Sequence, residues 1–140
     1  MTSEAPPVVR QGLLDTSVVV DLDHIPLELL PATMCVTAIT LAELAAGPHA
    51  AGSTEVRARR QELLQRVESL FEVLPFDASA ARAYGRVFAA TQLAGRKPRG
   101  AKAVDLLIAA VALANGLPFF TRNPRDSQHL RSIGLKLHSI

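Results

Sequence analysis

An α/β fold, with a mostly parallel sheet and helices packed on its faces, is what this 140-residue sequence predicts. Three observations carry the prediction. Short apolar runs of strand length alternate with longer stretches of helical periodicity, and strands separated by helices are joined by crossovers that leave neighbouring strands parallel. Hydrophobic residues are 49% of the chain and aromatics only 4%, so the core is to be built from Leu, Val, Ile and Ala. No repeat, low-complexity block or linker interrupts the order, so one domain is expected over residues 12–140, after a polar, Pro-containing tail over residues 1–11. A chain of this length buries about two thirds of the surface it exposes when unfolded.

The elements follow in order. Residues 8–14 are strand-like, and Asp15, Thr16 and Ser17 offer capping oxygens to a short helix ending near Asp23. Residues 33–36 are a second strand. From Thr37 the spacing of Ile39, Leu41, Ala42, Leu44 and Ala45 is helical until Gly47 and Pro48 stop it. A small-residue loop, residues 47–53, leads into an amphipathic helix over residues 54–70, with Val56, Leu63, Leu64, Val67 and Leu70 on its apolar side. Residues 73–76 make a third strand, Asp77 caps a helix running to about Ala94, and a helix over residues 103–115 ends at Gly116. Residues 118–121 and 135–138 are the last two strands. The longest apolar run, residues 106–114, is far below the roughly 20 residues of a membrane span, so no membrane helix is expected. Residues 1–11 lack the apolar stretch of a secretory signal. The lone Cys35 cannot form an intrachain disulfide and reads as a small hydrophobe in a strand, which is compatible with a reducing, cytoplasmic setting.

Against this background Asp15, Glu43 and Asp105 stand out, each alone in an apolar run: G-L-L-Asp15-T-S-V-V-V, A-I-T-L-A-Glu43-L-A-A and K-A-V-Asp105-L-L-I-A-A. Burying an unpaired carboxylate costs on the order of several kcal/mol, so such an acid needs a counter-charge or a metal. No Lys or Arg lies within the first two runs, and a hard divalent cation is the simplest shared partner. Sites in parallel sheets gather at the carboxyl ends of the strands. Asp15 closes the first strand, and Thr121, Arg122 and Asn123 close the fourth. Glu43 lies about two turns into the helix after the second strand, and Asp105 in the first turn of the helix before the fourth. Two of the acids also have a plainer role open to them, Asp15 as a helix cap and Asp105 as an acid in a first turn. Glu43 is neither a cap nor part of a charged face.

In sequence order, L-L-Asp15-T-S, T-L-A-Glu43-L-A-A-G, Asp105-L-L-I-A-A-V-A and F-T-R-Asn123-P-R-Asp126 resemble the PIN-domain nucleases, in particular the VapC toxins of prokaryotic toxin-antitoxin pairs. The resemblance spans nearly the whole chain. It implies a three-layer α/β/α sandwich, a Mg²⁺ or Mn²⁺ site, endonuclease action on RNA, a VapB-like antitoxin that blocks the site, and a homodimer. It also implies that Asp15, Glu43 and Asp105 are catalytic metal ligands, supported by hydrogen bonds from Thr16, Ser17 and Thr121. The fourth position departs from the pattern. Many relatives carry an acid directly after T-R, where this chain has Asn123, and the nearest acid is Asp126. Asn offers a carbonyl oxygen but no charge, so one tightly held ion and a weaker second are expected, with Asn123 or Asp126 in the fourth place. Asp126 has the alternative of capping the turn before Leu130. An arginine of the antitoxin is implied to enter the acidic site, since an arginine fork suits paired carboxylates.

Carboxylates on one rim hold Mg²⁺ or Mn²⁺ and leave water and phosphate oxygens in the remaining places. Such an ion lowers the pKa of water and neutralises charge on the phosphoryl oxygens, and in-line attack of that water leaves 5′-phosphate and 3′-hydroxyl ends. For the substrate, Arg96, Lys97, Arg99 and Lys102 put cations in a short loop before Asp105, suited to RNA phosphates; a solvated basic turn is the alternative. Arg122 and Arg125 adjoin the expected rim and suit the same role. Arg57, Arg59 and Arg60 interleave with Glu55 and Glu62 and read as the wet face of their helix. The net charge of +2 and pI near 9.1 permit a polyanion partner without requiring one.

Other chemistries fit less well. His24, His49, His129 and His138 lack zinc-site spacing. A phosphatase of the haloacid dehalogenase type needs a second acid where Ser17 stands, and a Gly-rich phosphate loop is absent. The remaining rival is an RNA- or protein-binding module on the same fold, made catalytically inert by Asn123.

Overall fold

A computed structural model of the chain describes residues 9–140. Its strands are β1 (Gln11–Leu14), β2 (Thr33–Thr37), β3 (Glu72–Leu74), β4 (Phe119–Thr121) and β5 (Leu137–Ser139). Its α-helices are α1 (Thr16–Val19), α2 (Ala38–Ala46), α3 (Thr54–Leu70), α4 (Ala78–Leu93) and α5 (Ala101–Asn115). The strands form one five-stranded sheet in the order β3-β2-β1-β4-β5, and every pairing is parallel. The chain leaves β1 toward β2 on one side and later returns to β4 on the other, so the β1/β4 boundary is the topological switch point, where open α/β sheets place their sites.

Strand alternation sorts the core into two halves. Leu13 and Phe119 face α4 and α5, packing with Ala83, Val87, Ile108 and Val111. Their neighbours Leu14 and Phe120 face the opposite way, packing with Val18, Val19, Leu44, Val67 and Phe71 of the α1–α3 side. The result is the expected three-layer α/β/α sandwich. The parent glycine at position 12 is needed here, because a Cβ on Gly12 would lie 2.4 Å from the Phe120 ring.

Several boundaries move. Val8 and the rest of residues 1–8 lie outside the described residues, and Gln11, assigned above to the tail, pairs with Thr33 inside β1. Helix α2 stops where expected, at Ala46, and its C-cap is Gly47. Its φ of −52° is helical and the chain tightens into a 3-10 turn, Gly47–Ala50, because Pro48 has no N–H to continue the α ladder. Asp77 caps α4 as expected, its carboxylate accepting from the Ala80 N–H at 3.0 Å. Helix α5 starts at Ala101, ahead of the expected residue 103, so Lys102 is helical and Asp105 falls beyond the first turn. The first-turn role for Asp105 is thereby excluded.

Candidate active site

The carboxyl ends of β1 and β4 lie side by side, with Leu14 paired to Phe120, and this carries Asp15 and Thr121 to the same rim. Asp15 is 7% exposed and accepts three hydrogen bonds. Its Oδ1 accepts from the Thr16 N–H at 2.9 Å, which makes it the N-cap of α1 as well. Its Oδ2 accepts from Ser17 Oγ and from Thr121 Oγ1, both at 2.9 Å. These hydroxyls are held in turn: Ser17 Oγ accepts from the Arg122 N–H at 3.2 Å, and Thr121 Oγ1 from the Asn123 N–H at 3.0 Å. Burial pushes the Asp15 carboxyl above its ordinary range, the hydrogen bonds from Thr121, Ser17 and Thr16 oppose the shift, and the negative charge of Asp126 adds to it.

Asp105 is half-buried on α5, and its pKa is raised to about 6. Desolvation is the largest cause, followed by the negative charges of Asp15, Asp126 and Glu43. Elements distant in sequence therefore place these four carboxylates in one electrostatic neighbourhood. The 3-10 turn Pro124–Asp126 folds back after β4 and brings Asp126 within the field of both Asp15 and Asp105. Asn123 is exposed, and its side chain makes no capping bond to that turn. Nor does Asp126 cap the next turn, Gln128–Ile133, whose N-cap is Ser127.

Glu43 departs from its expected setting. It is exposed, and so are Ala42, Ala45 and Ala46 around it. Only Thr40 and Leu44 of α2 are buried, because alanine methyl groups cost little in water and the apolar run overstates the buried face. Glu43 Oε1 accepts from Thr16 Oγ1 at 2.9 Å, which ties it to the rim. The sequence reading missed Thr37 and Thr40, both fully buried and bonded toward Thr16. Two hydroxyls about one helical turn apart in an apolar segment were the available signal.

The ion pairs among the described residues, Arg66 with Asp23 at 3.0 Å and Arg122 with Asp21 at 3.5 Å, involve none of the four acids. As they stand, no three acidic, His or Cys side chains among the described residues close round one point. The donor set still suits a hard ion. It is all oxygen, negative and without an ion-pair partner among the described residues, and Mg²⁺ keeps several waters and needs only one or two direct carboxylates.

The basic residues divide. Lys97, Arg99 and Lys102 are exposed, and Lys97 and Lys102 border a small crevice with Asp126 and His129, whereas Arg99 lies farther along the loop, toward Phe88 and Gln92. Arg96 instead donates to the carbonyl of Arg125, fastening the loop after α4 to the turn that carries Asp126. Arg122 is occupied by Asp21. A roomier groove, about 580 Å³, lies between Asp23 and α3, and none of the four acids lines it.

Comparison with known proteins agrees with this geometry. Residues 12–129 match the PIN domain family. The chain is 38% identical to ribonuclease VapC5 of Mycobacterium tuberculosis over 115 residues, covering 80% of this chain and 82% of that protein. Among solved structures it is similar to the VapBC-5 toxin-antitoxin system of the same organism, with a TM-score of 0.78, 36% identity, and coverage of 93% of this chain and 97% of that one. It is also similar to VapBC2 of Rickettsia felis bound to a promoter DNA fragment, with a TM-score of 0.74, 26% identity, and coverage of 93% and 98%. A parallel sheet with its acids at the switch point and a match of this extent have one explanation in common: the chain belongs to the PIN-domain family and is VapC-like.

Proposed function

We propose that this chain is a Mg²⁺- or Mn²⁺-dependent endoribonuclease, the toxin of a toxin-antitoxin pair, with Asp15, Glu43, Asp105 and Asp126 holding the ion. The observation that carries the reading is the set of four carboxylates sharing one field, with Asp105 raised to about 6 and none of them ion-paired among the described residues. A bound divalent ion supplies a water of lowered pKa and neutralises charge developing on the phosphoryl oxygens. The chain's own residues do the rest. Thr121, Ser17 and the Thr16 N–H hold Asp15 in one orientation. Asp126, rather than Asn123, gives the fourth charge, so the missing acid after T-R does not leave the site with three. Lys97, Arg99 and Lys102 bind phosphates flanking the scissile bond. Water is the nucleophile, and the products carry 5′-phosphate and 3′-hydroxyl ends.

The relatives whose structures are toxin-antitoxin complexes support a VapB-like partner. On this reading an arginine of that partner neutralises the acidic rim, a second copy of the chain completes a homodimer, and the pair works in the cytoplasm. No helix among the described residues is long and apolar enough to cross a membrane.

The test is cleavage of total cellular RNA by the purified chain with Mg²⁺ or Mn²⁺, with EDTA, and with Asp15→Asn and Asp105→Asn. Discrete 5′-phosphorylated fragments that need both the ion and the acids are expected, and a single 2′-deoxy substitution at the scissile nucleotide should leave cleavage intact. A folded chain that binds RNA or partner but cuts nothing under any ion would instead be an inert binding module of this fold.

A further inference from the structure

Behind Glu43 lies a run of hydroxyls whose hydrogen atoms can be placed by counting. Thr16 Oγ1 stands 2.9 Å from Glu43 Oε1 and 2.9 Å from Thr40 Oγ1, and Thr40 Oγ1 stands 3.3 Å from Thr37 Oγ1. A threonine hydroxyl has one hydrogen, and an ionised carboxylate only accepts. The Thr16 hydrogen is therefore committed to Glu43. Thr40 must donate to Thr16, and its hydrogen is then spent, so Thr37 must donate to Thr40. Thr37 Oγ1 in turn accepts the Thr40 N–H at 3.0 Å, as the N-cap of α2. The ladder is one-directional: Thr37, Thr40, Thr16, Glu43, every O–H aimed at the carboxylate. Thr37 and Thr40 are both 0% exposed, so water does not compete for the bond between them, and each hydroxyl polarises the next as the ladder runs out to Glu43 at the surface.

We infer that Thr40 is a positioning residue for the ion site: through Thr16 it holds Glu43 by Oε1 and leaves Oε2 as the ligand oxygen. The inference rests on the proposed role of Glu43 as a ligand. The need is physical. Glu43 is exposed on α2, with alanines beside it that give its side chain nothing to pack against. Without the ladder it would lose rotamer freedom on taking up an ion. With it, that freedom is already spent in folding. The ladder also spans α1 and α2, so the same bonds set the Asp15 segment and Glu43 relative to each other.

Mn²⁺ binding, read as loss of the free-ion electron paramagnetic resonance signal, tests this on the purified chain without reference to cleavage. Thr40→Val keeps the shape and removes the hydroxyl, and should weaken Mn²⁺ binding about tenfold. Thr40→Ser restores the hydroxyl and should bind within about twofold of the parent. A residue that merely stabilised the fold would lower the melting temperature in Thr40→Val and leave Mn²⁺ affinity alone, which would overturn the inference. So would a Ser variant as weak as the Val variant. Hydroxyl-proton exchange in the metal-free parent gives a second readout that needs no variant to fold. The Thr40 hydroxyl should exchange far more slowly than that of Thr54 on the exposed start of α3, and equal rates would refute the ladder. If the parent bound no more Mn²⁺ than Asp15→Asn, the metal reading itself would have failed, and with it the role toward the ion. A slow Thr40 hydroxyl would then show that the ladder exists without that role.

Discussion

Asp105 is the residue whose protonation reports on the whole rim. Its pKa of about 6 lies above the ordinary aspartate value of 3.8, chiefly through desolvation and then through Asp15, Asp126 and Glu43. Between those two values the folded chain holds a proton that the unfolded chain has released. Stability from this group therefore falls as pH rises through the window, and the full penalty is present above it. Asp15, also raised, acts in the same direction. His129 acts in the opposite one, because burial and Arg96 lower its pKa and the unfolded chain takes up its proton first as pH falls. The Asp105→Asn difference, rather than the raw curve, isolates the effect. Without divalent ions, Asp105→Asn should raise stability at pH 7.5 by about 1 kcal/mol, a figure discounted for the water that reaches a half-buried carboxylate, and should have little effect at pH 4. Thermal melts at the two pH values measure it, and an equal shift at both would rule out the electrostatic cause. Added Mg²⁺ should stabilise the parent more at pH 7.5 than at pH 5 and should do little for Asp105→Asn.

At the scale of elements, the entry to α5 governs how the basic loop meets the acids. Gly100 is the N-cap of α5 at φ 62° and ψ −138°, a backbone state that a side chain strongly disfavours, and it makes no side-chain capping bond. This turn lets the helix begin at Ala101 and puts Lys102 on the helix instead of in the loop. Gly100→Ala should cost about 1–3 kcal/mol in denaturant unfolding. It should also disturb RNA binding more than Asp77→Ala, which loses only the α4 cap, at about 1 kcal/mol. Equal effects of the two variants on RNA binding would show that the α5 entry has no special part in presenting the cations. The α2 helix teaches a related lesson. Its run of small apolar residues reads as buried, yet only the Thr40 and Leu44 side meets the core, and Glu43 stands exposed at the edge of that side, bonded to Thr16.

Over the whole molecule, a sheet order of β3-β2-β1-β4-β5 concentrates negative charge at one rim, while cations lie along its border. Binding of RNA to such a surface releases counterions in proportion to the phosphates neutralised. Lys97 and Arg99 are exposed, whereas Arg96 and Arg122 already have partners in the chain. Measured in EDTA, where the RNA stays whole, Lys97→Ala and Arg99→Ala should each lower the slope of log K against log salt by about 1. Arg96→Ala should act differently, by releasing the Asp126 turn. A slope unchanged in the Lys97→Ala, Arg99→Ala double variant would return that loop to the status of a solvated basic turn.

The sequence by itself determined the α/β class and the order of the elements, and it singled out Asp15, Glu43 and Asp105 for attention. Periodicity and caps are local signals, and a carboxylate alone among aliphatic residues is conspicuous wherever it falls. Element ends were read less well, as at Val19, where the first helix stops short of Asp23, and at Ala101, because a helix continues for as long as its next N–H finds a carbonyl, and residue type alone does not fix that. Only the tertiary structure decided that Asp126 shares the field of Asp15 and Asp105, since a 3-10 turn after β4 reverses the chain there. It alone decided that Arg96 and Arg122 are tied within the chain and that Glu43 is exposed. It also revealed the hydroxyl ladder, because a hydrogen bond between Thr16 and Thr40 depends on where two helices meet. The physical reason is the same throughout: sequence pattern encodes which groups a residue carries and which face it prefers, whereas partners across the rim are set by crossovers that join positions as far apart as Asp15 and Thr121.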